Sequence, residues 1–131
     1  MIEPIVLSLL LAFESPNGET YHDGGRSQGR FAEKRIMLAD VNRIYGTHYR
    51  WPRDAMDTKV AGHIAILYIK AYSKASEPPH HWYQRYRGGP DGVEQDVGFD
   101  RAMDFEREYM RRVQVQRELE YWRQAERELM R

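Results

Sequence analysis

Glu14 stands at the end of a strongly apolar run, Ile5-Val6-Leu7-Ser8-Leu9-Leu10-Leu11-Ala12-Phe13, and is followed at once by Ser15 and a glycine-rich stretch. A carboxyl group in that setting has the makings of a proton donor. The apolar run offers it a low-dielectric wall, and the negative end of a helix dipole disfavours its ionised form, so both raise its pKa. A carboxylic acid still protonated near neutral pH is what glycosidic cleavage requires, because the leaving oxygen takes a proton as the bond breaks. Position alone equally suits an ordinary glutamate in the last turn of a helix, facing solvent. Asp23, nine residues further on, supplies a second carboxylate. Together the two would make the carboxylate pair of glycoside hydrolysis. Equally, Asp before Gly24-Gly25 is what a tight turn asks for whatever the chemistry.

Other chemistries find less support. His22, His48, His63, His80 and His81 lack metal-ligand spacing, and the adjacent His80 and His81 are expected on different sides of a helix, so no metal is expected. There is no Gly-x-Ser-x-Gly, and neither Gly24-Gly25 nor Gly88-Gly89 leads into the Gly-Lys-Ser/Thr of a phosphate loop. The chain has no cysteine, which excludes disulfides, Cys-based zinc sites and thiol nucleophiles. No cofactor is expected. Lys plus Arg and Asp plus Glu number 20 each, and a formal charge of zero argues against a nucleic-acid partner while leaving a neutral or zwitterionic polymer open. Trp51, Trp82, Tyr83 and Tyr86 could stack on sugar rings, although aromatics at helical spacing serve a core as well.

The elements that must position Glu14 follow from pattern. At 131 residues, 41 % hydrophobic and 31 % charged, the chain has the size and composition of one globular domain rather than a disordered one. Residues 2–14 read as a helix with Pro4 in its first turn. This segment lacks a basic n-region and a small-residue cleavage site, carries Glu3, and is too short to span a bilayer. It is expected to be a buried helix rather than a signal peptide, with cytoplasmic synthesis and no membrane span. Residues 16–30 read as a loop or short hairpin turning at Asp23-Gly24 between Thr20-Tyr21 and Arg30-Phe31. Ala32 to Tyr45 reads as a helix stopped by Gly46, and residues 47–53 as a loop. Asp54, reinforced by Asp57, is placed to cap a central helix over about 55–73 that is apolar almost all round. Pro78-Pro79 breaks the chain before a short aromatic helix over 80–87, which ends in Gly88-Gly89-Pro90-Asp91-Gly92. A long charged helix over 99–131 closes the chain, with Phe105, Tyr109, Val113, Leu119, Trp122 and Leu129 as its apolar stripe. That stripe suits packing along one side, or docking of a protein partner. Pairs such as Glu108 with Arg112 add only about 0.3 kcal/mol each.

In order along the chain, Phe13-Glu14-Ser15, the hairpin Asp23-Gly24-Gly25-Arg26-Ser27-Gln28-Gly29-Arg30-Phe31, the helix Ile36-Met37-Leu38-Ala39-Asp40-Val41-Asn42-Arg43-Ile44 and the segment Tyr83-Gln84-Arg85-Tyr86-Arg87-Gly88-Gly89-Pro90-Asp91-Gly92 span roughly residues 5–95. This combination resembles the lysozyme-like superfamily. Its transglycosylase-like branch (soluble lytic transglycosylases and goose-type lysozymes), and phage-type members in particular, is the nearest likeness. The resemblance implies a mainly α fold over residues 1–131, a single domain with its core at about 2–95, a small β-hairpin beside the active cleft and the long helix over 99–131. It implies cleavage of peptidoglycan glycan strands, with Glu14 as the acid/base and Ser15 as the neighbouring hydroxyl. Gly29 would let the hairpin approach the sugar backbone, beside Phe31, and Tyr86 would face the cleft near the scissile bond. In a transglycosylase Glu14 protonates the glycosidic oxygen, and its carboxylate then helps the muramyl 6-hydroxyl attack to give a 1,6-anhydro product; in a muramidase Asp23 joins it in hydrolysis. Such a protein would reach the wall as a phage lysis enzyme or as a virion or secretion-machine component. The chain departs from the pattern at Ala32-Glu33, where the family has Gln-Ile or similar, at Arg87, where it has Asn, and at Pro16-Asn17-Gly18, where it often has glycines. Arg87 is suited to contacting a peptide-stem carboxylate or to pairing with Glu33. The same departures fit an alternative: a catalytically degenerate domain kept as a structural or glycan-binding part of a larger assembly.

Overall fold

Val6, Leu9 and Leu10 are wholly buried on α1 (Glu3–Glu14), so the N-terminal apolar run is a core helix. The structure, a computed structural model, describes residues 1–131. Pro4 sits in the first turn of α1, where its missing N–H leaves nothing unpaired. Ser15 closes the far end, its amide donating to the Leu11 carbonyl at 3.0 Å.

Next comes a three-stranded antiparallel sheet, order β1-β2-β3, made of β1 (Tyr21–His22), β2 (Ser27–Gln28) and β3 (Glu33–Lys34). Tyr21 pairs with Gln28 and His22 with Ser27; Ser27 in turn pairs with Lys34. Asp23, Gly24 and Gly25 all have positive φ and form a 3-10 turn, so the return strand starts at Ser27 rather than at the expected Arg30-Phe31. β3 was not foreseen, because two residues carry no period. It delays α2 to Arg35–Tyr45, three residues after the expected start. Gly46 stops α2 in the left-handed conformation, as its sequence position predicts.

Asp54 does not cap the central helix. It belongs to the one-turn α3 (Arg53–Met56) and accepts from the Arg50 amide at 2.6 Å. Asp57 caps α4 (Thr58–Tyr72) instead, accepting from the Val60 amide at 3.2 Å. Ala61, Gly62, Ile64, Ala65, Ile66, Tyr68 and Ile69 of α4 are buried, and α2, α5 and α1 pack around it. α5 (Pro79–Gly88) buries Trp82, Tyr83, Gln84 and Tyr86, so these three aromatics belong to the core.

α6 (Phe99–Leu129) packs Ala102, Phe105, Tyr109 and Val113 against α5 and α1. Beyond Val113 it runs on in solvent for about 24 Å at 1.5 Å per residue. The expected stripe therefore breaks: Leu119, Trp122 and Leu129 are 50 %, 63 % and 84 % exposed. The body ends before the helix does. The fold is thus mainly helical, with a small sheet and a long C-terminal helix, and no helix is long and apolar enough to cross a membrane.

Candidate active site

The end of α1, the β1–β2 hairpin and the end of α5 meet around Glu14. Its side chain is only 4 % exposed, and Oε2 accepts from Arg87 Nη1 at 2.8 Å. Oε1 is buried and has no hydrogen-bond partner. Burial pushes the Glu14 carboxyl above its ordinary 4.5, while the Arg87 guanidinium, Tyr83 and the more distant charge of Arg101 pull it back. The helix dipole acts with burial, but α6 opposes it: Arg101 Nη2 donates to the Phe13 carbonyl at 2.6 Å, covering the negative end of α1.

Glu14 lines a cavity of about 60 Å3 together with Asp23, Ser27, Ala32, Lys34, Tyr86 and Arg87. The two carboxylates singled out in the sequence therefore face one space. Asp23 has a turn role as well: its Oδ2 accepts from Ser27 Oγ at 3.1 Å, across the hairpin it begins. A second cavity of about 220 Å3 adjoins, sharing Lys34, Tyr86 and Arg87 and continuing past Ile36, Met37 and Asp40 to Gly88-Gly89-Pro90. A groove thus runs between the sheet and the end of α5, with Arg87 at its middle.

Ser15, Gly29 and Phe31 support rather than line this groove. Ser15 is buried, and its Oγ lies 3.2 Å from His22 Nε2, which is also 3.1 Å from the Gly29 carbonyl. Protonated at Nε2, His22 can bridge both oxygens and tie the hairpin to the end of α1. Gly29 makes its close approach to the protein's own backbone instead of a sugar. At φ +80°, a Cβ there would lie 1.8 Å from the Ala55 carbonyl oxygen. Phe31 is in the core, and its carbonyl accepts from the Tyr86 hydroxyl at 2.5 Å. Tyr86 shows an edge to both cavities although burial drives its phenol well above the ordinary 10.

Arg87 chooses Glu14, not Glu33. Glu33 is wholly buried on β3 with neither carboxyl oxygen paired, and burial alone raises its pKa well above 4.5. Such a group is held neutral. The sequence marked Glu33 as a departure but gave no sign of its isolation. Tyr83, named in the sequence only as a possible sugar-stacking or core aromatic, stands beside the acid instead. Its hydroxyl is buried without a partner close to Glu14, and burial with that negative charge pushes it to about 12. Lys34 and Arg101 carried no local signal, since what recruits them is the packing of β3 and α6.

His80 and His81 lie side by side, ring centroids 4.5 Å apart, rather than on different sides of α5. Each faces its own carboxylate: His80 Nδ1 is 2.9 Å from Glu106 and His81 Nδ1 is 3.2 Å from Glu77. No three His, Asp or Glu side chains are grouped to hold a metal ion. Chemically, the groove offers an acid with one unengaged oxygen, a second carboxylate and two cations. No protein-family model, curated protein or solved structure matches the chain.

Proposed function

We propose that this chain is a lysozyme-like enzyme that cleaves peptidoglycan glycan strands, with Glu14 as general acid/base. The observation carrying the proposal is Glu14 Oε1, a buried and unpartnered carboxyl oxygen in the wall of a groove that Asp23 also lines. Burial favours the protonated acid that must deliver a proton to the glycosidic oxygen. As the C1–O bond breaks, that oxygen keeps the proton and Glu14 is left as a carboxylate. In the transglycosylase course Glu14 then takes the proton of the muramyl 6-hydroxyl while its oxygen bonds to C1, and no water is consumed. In the muramidase course Asp23 supplies the second carboxylate, and water bonds to C1 through its oxygen while one of its protons passes to a carboxylate of the pair.

A second reading has its own observation. Arg87 holds the acid at 2.8 Å, the contact expected of a domain that has abandoned catalysis and serves as a structural or glycan-binding part of a virion or secretion assembly. The free half of α6 would then be its docking element for a protein partner. Fragment release from purified peptidoglycan by the wild type, lost in Glu14→Gln, separates the two readings.

A further inference from the structure

The guanidinium of Arg87 is unevenly placed. Its Nη1 is bonded to a carboxylate that is 4 % exposed, yet the Arg87 side chain is itself 49 % exposed. No other side-chain donor of Arg87 is engaged, so the remaining edge of the planar fork faces the groove and can take a second carboxylate. Lys34 reaches across from β3 on the facing wall, Nζ 3.4 Å from the Arg87 carbonyl, and pairs with no acid. Both residues line both cavities. Of the other acids there, Asp40 is occupied by the Tyr72 hydroxyl at 2.8 Å and Arg43 at 3.4 Å, and Asp23 by Ser27. The groove therefore presents two cations whose only acidic partner is Glu14.

We propose that Lys34 and Arg87 form a subsite for a carboxylate carried by the saccharide, and that this carboxylate takes Arg87 away from Glu14, leaving Glu14 protonated. The inference rests on reading Glu14 as the acid. The contact that neutralises Glu14 in the free protein becomes a device that arms it only when an acidic sugar is bound. The guanidinium exchanges one carboxylate for another, and Glu14 takes one proton from solvent. Burial supplies the drive, because Glu14 stays desolvated once its counter-ion has moved. The charged and titratable groups around it are Tyr83, Tyr86 and Arg87 from α5, Arg101 from α6, and Asp23 and Lys34 from the sheet. Of these, Arg87 alone is hydrogen-bonded to the carboxyl and half in solvent, so it is the one able to move.

The test is the titration of the Glu14 carboxyl carbon by NMR on the full chain. Three probes at high millimolar concentration are compared: N-acetylglucosamine, which has no carboxylate, N-acetylmuramic acid, which has a free lactyl carboxylate, and N-acetylmuramyl dipeptide, whose carboxylate is on the peptide. An acidic probe should raise the proton affinity of Glu14 about tenfold or more, given that a neighbouring opposite charge is worth roughly 1–3 in pKa. N-acetylglucosamine should not. A response to N-acetylmuramic acid assigns the subsite to peptide-free strands, and a response to the dipeptide alone assigns it to the stem. In Arg87→Gln, Glu14 should titrate higher from the outset and ignore all three probes. Lys34→Gln should leave the free protein's titration in place and weaken the response. Equal effects of neutral and acidic sugars, or no effect of either acid, would overturn the proposal. A wild type inert on peptidoglycan that still shows the acid-specific response would remove the catalytic reading and leave the subsite standing.

Discussion

Ser15 Oγ lies 3.2 Å from His22 Nε2, so the residue following the acid holds the hairpin that faces it. The site is assembled by this tie and by the Gly29 carbonyl 3.1 Å from the same ring nitrogen, not by the length of the strands, which are two residues each. A sheet that short has little stability of its own. Removing Ser15 Oγ or the His22 ring should each destabilise the fold by about 1 kcal/mol. A double-mutant cycle on Ser15→Ala and His22→Ala should show the two losses to be strongly non-additive. Independent losses would mean that the contact does not couple hairpin to helix.

Gly29 and Gly24 both have positive φ, but only Gly29 is pressed against backbone. Gly24→Ala should cost about 1–2 kcal/mol, the price of a left-handed alanine in open space. Gly29→Ala must in addition push the Ala55 carbonyl away, and should cost clearly more. Chemical denaturation of the two variants measures the difference; equal losses would contradict the packing described here.

Glu33 makes a prediction in the opposite direction. Its folded pKa is raised by burial, so its contribution to stability is complete below about 4.5 and is lost as pH rises through the folded value. Glu77 behaves inversely. Burial pushes it up, but the Lys74 amide, Arg85 and His81 outweigh that and hold it at about 2, so its contribution is present above 4.5 and lost as pH falls toward 2. The melting temperature should therefore peak in mildly acidic solution. Glu33→Gln should flatten the decline toward neutral pH. Glu33→Leu should raise stability at pH 7 by about 1–3 kcal/mol, since it removes an unpaired buried polar group. Destabilisation by Glu33→Leu would show that the carboxyl has a partner in solution.

The outer half of α6 contributes little to the body. Deleting residues 117–131 removes Leu119, Trp122 and Leu129, all exposed, and leaves Phe105, Tyr109 and Val113 in place. The shortened chain should melt within a few degrees of the full one, because surface changes are mostly worth less than 0.5 kcal/mol. A large drop would mean that the helix is packed in solution, for instance against a second chain.

What the sequence made legible was the run of helices and the acid at the end of the first one. Apolar spacing and the Gly46 stop predicted α1, α2, α5 and the length of α6 to within a few residues, because those signals act over one or two turns. The hairpin was legible from its turn, but the start of its return strand at Ser27 and the third strand at Glu33 were not, since two-residue strands pair through backbone and carry no period. The co-location of Glu14 and Asp23 followed from the hairpin turning back on the helix that precedes it. The environment of Glu14 did not follow. Arg87 is 73 residues away along the chain and Arg101 is 14 further on, and which group each would meet, the Glu14 carboxylate or the Phe13 carbonyl, was fixed by how α5 and α6 pack. The exposed end of α6 departs from the expected stripe for a related reason: an apolar stripe does not reveal where its partner surface ends.

The most direct measurement is digestion of purified peptidoglycan by the wild type and by Glu14→Gln, with soluble products separated by mass and both proteins checked for the same fold. The account predicts fragments from the wild type alone. Products one water lighter than reducing-end fragments would assign the transglycosylase course, and reducing-end fragments the hydrolytic one. Release of fragments by both proteins, or by neither, would contradict Glu14 as the acid.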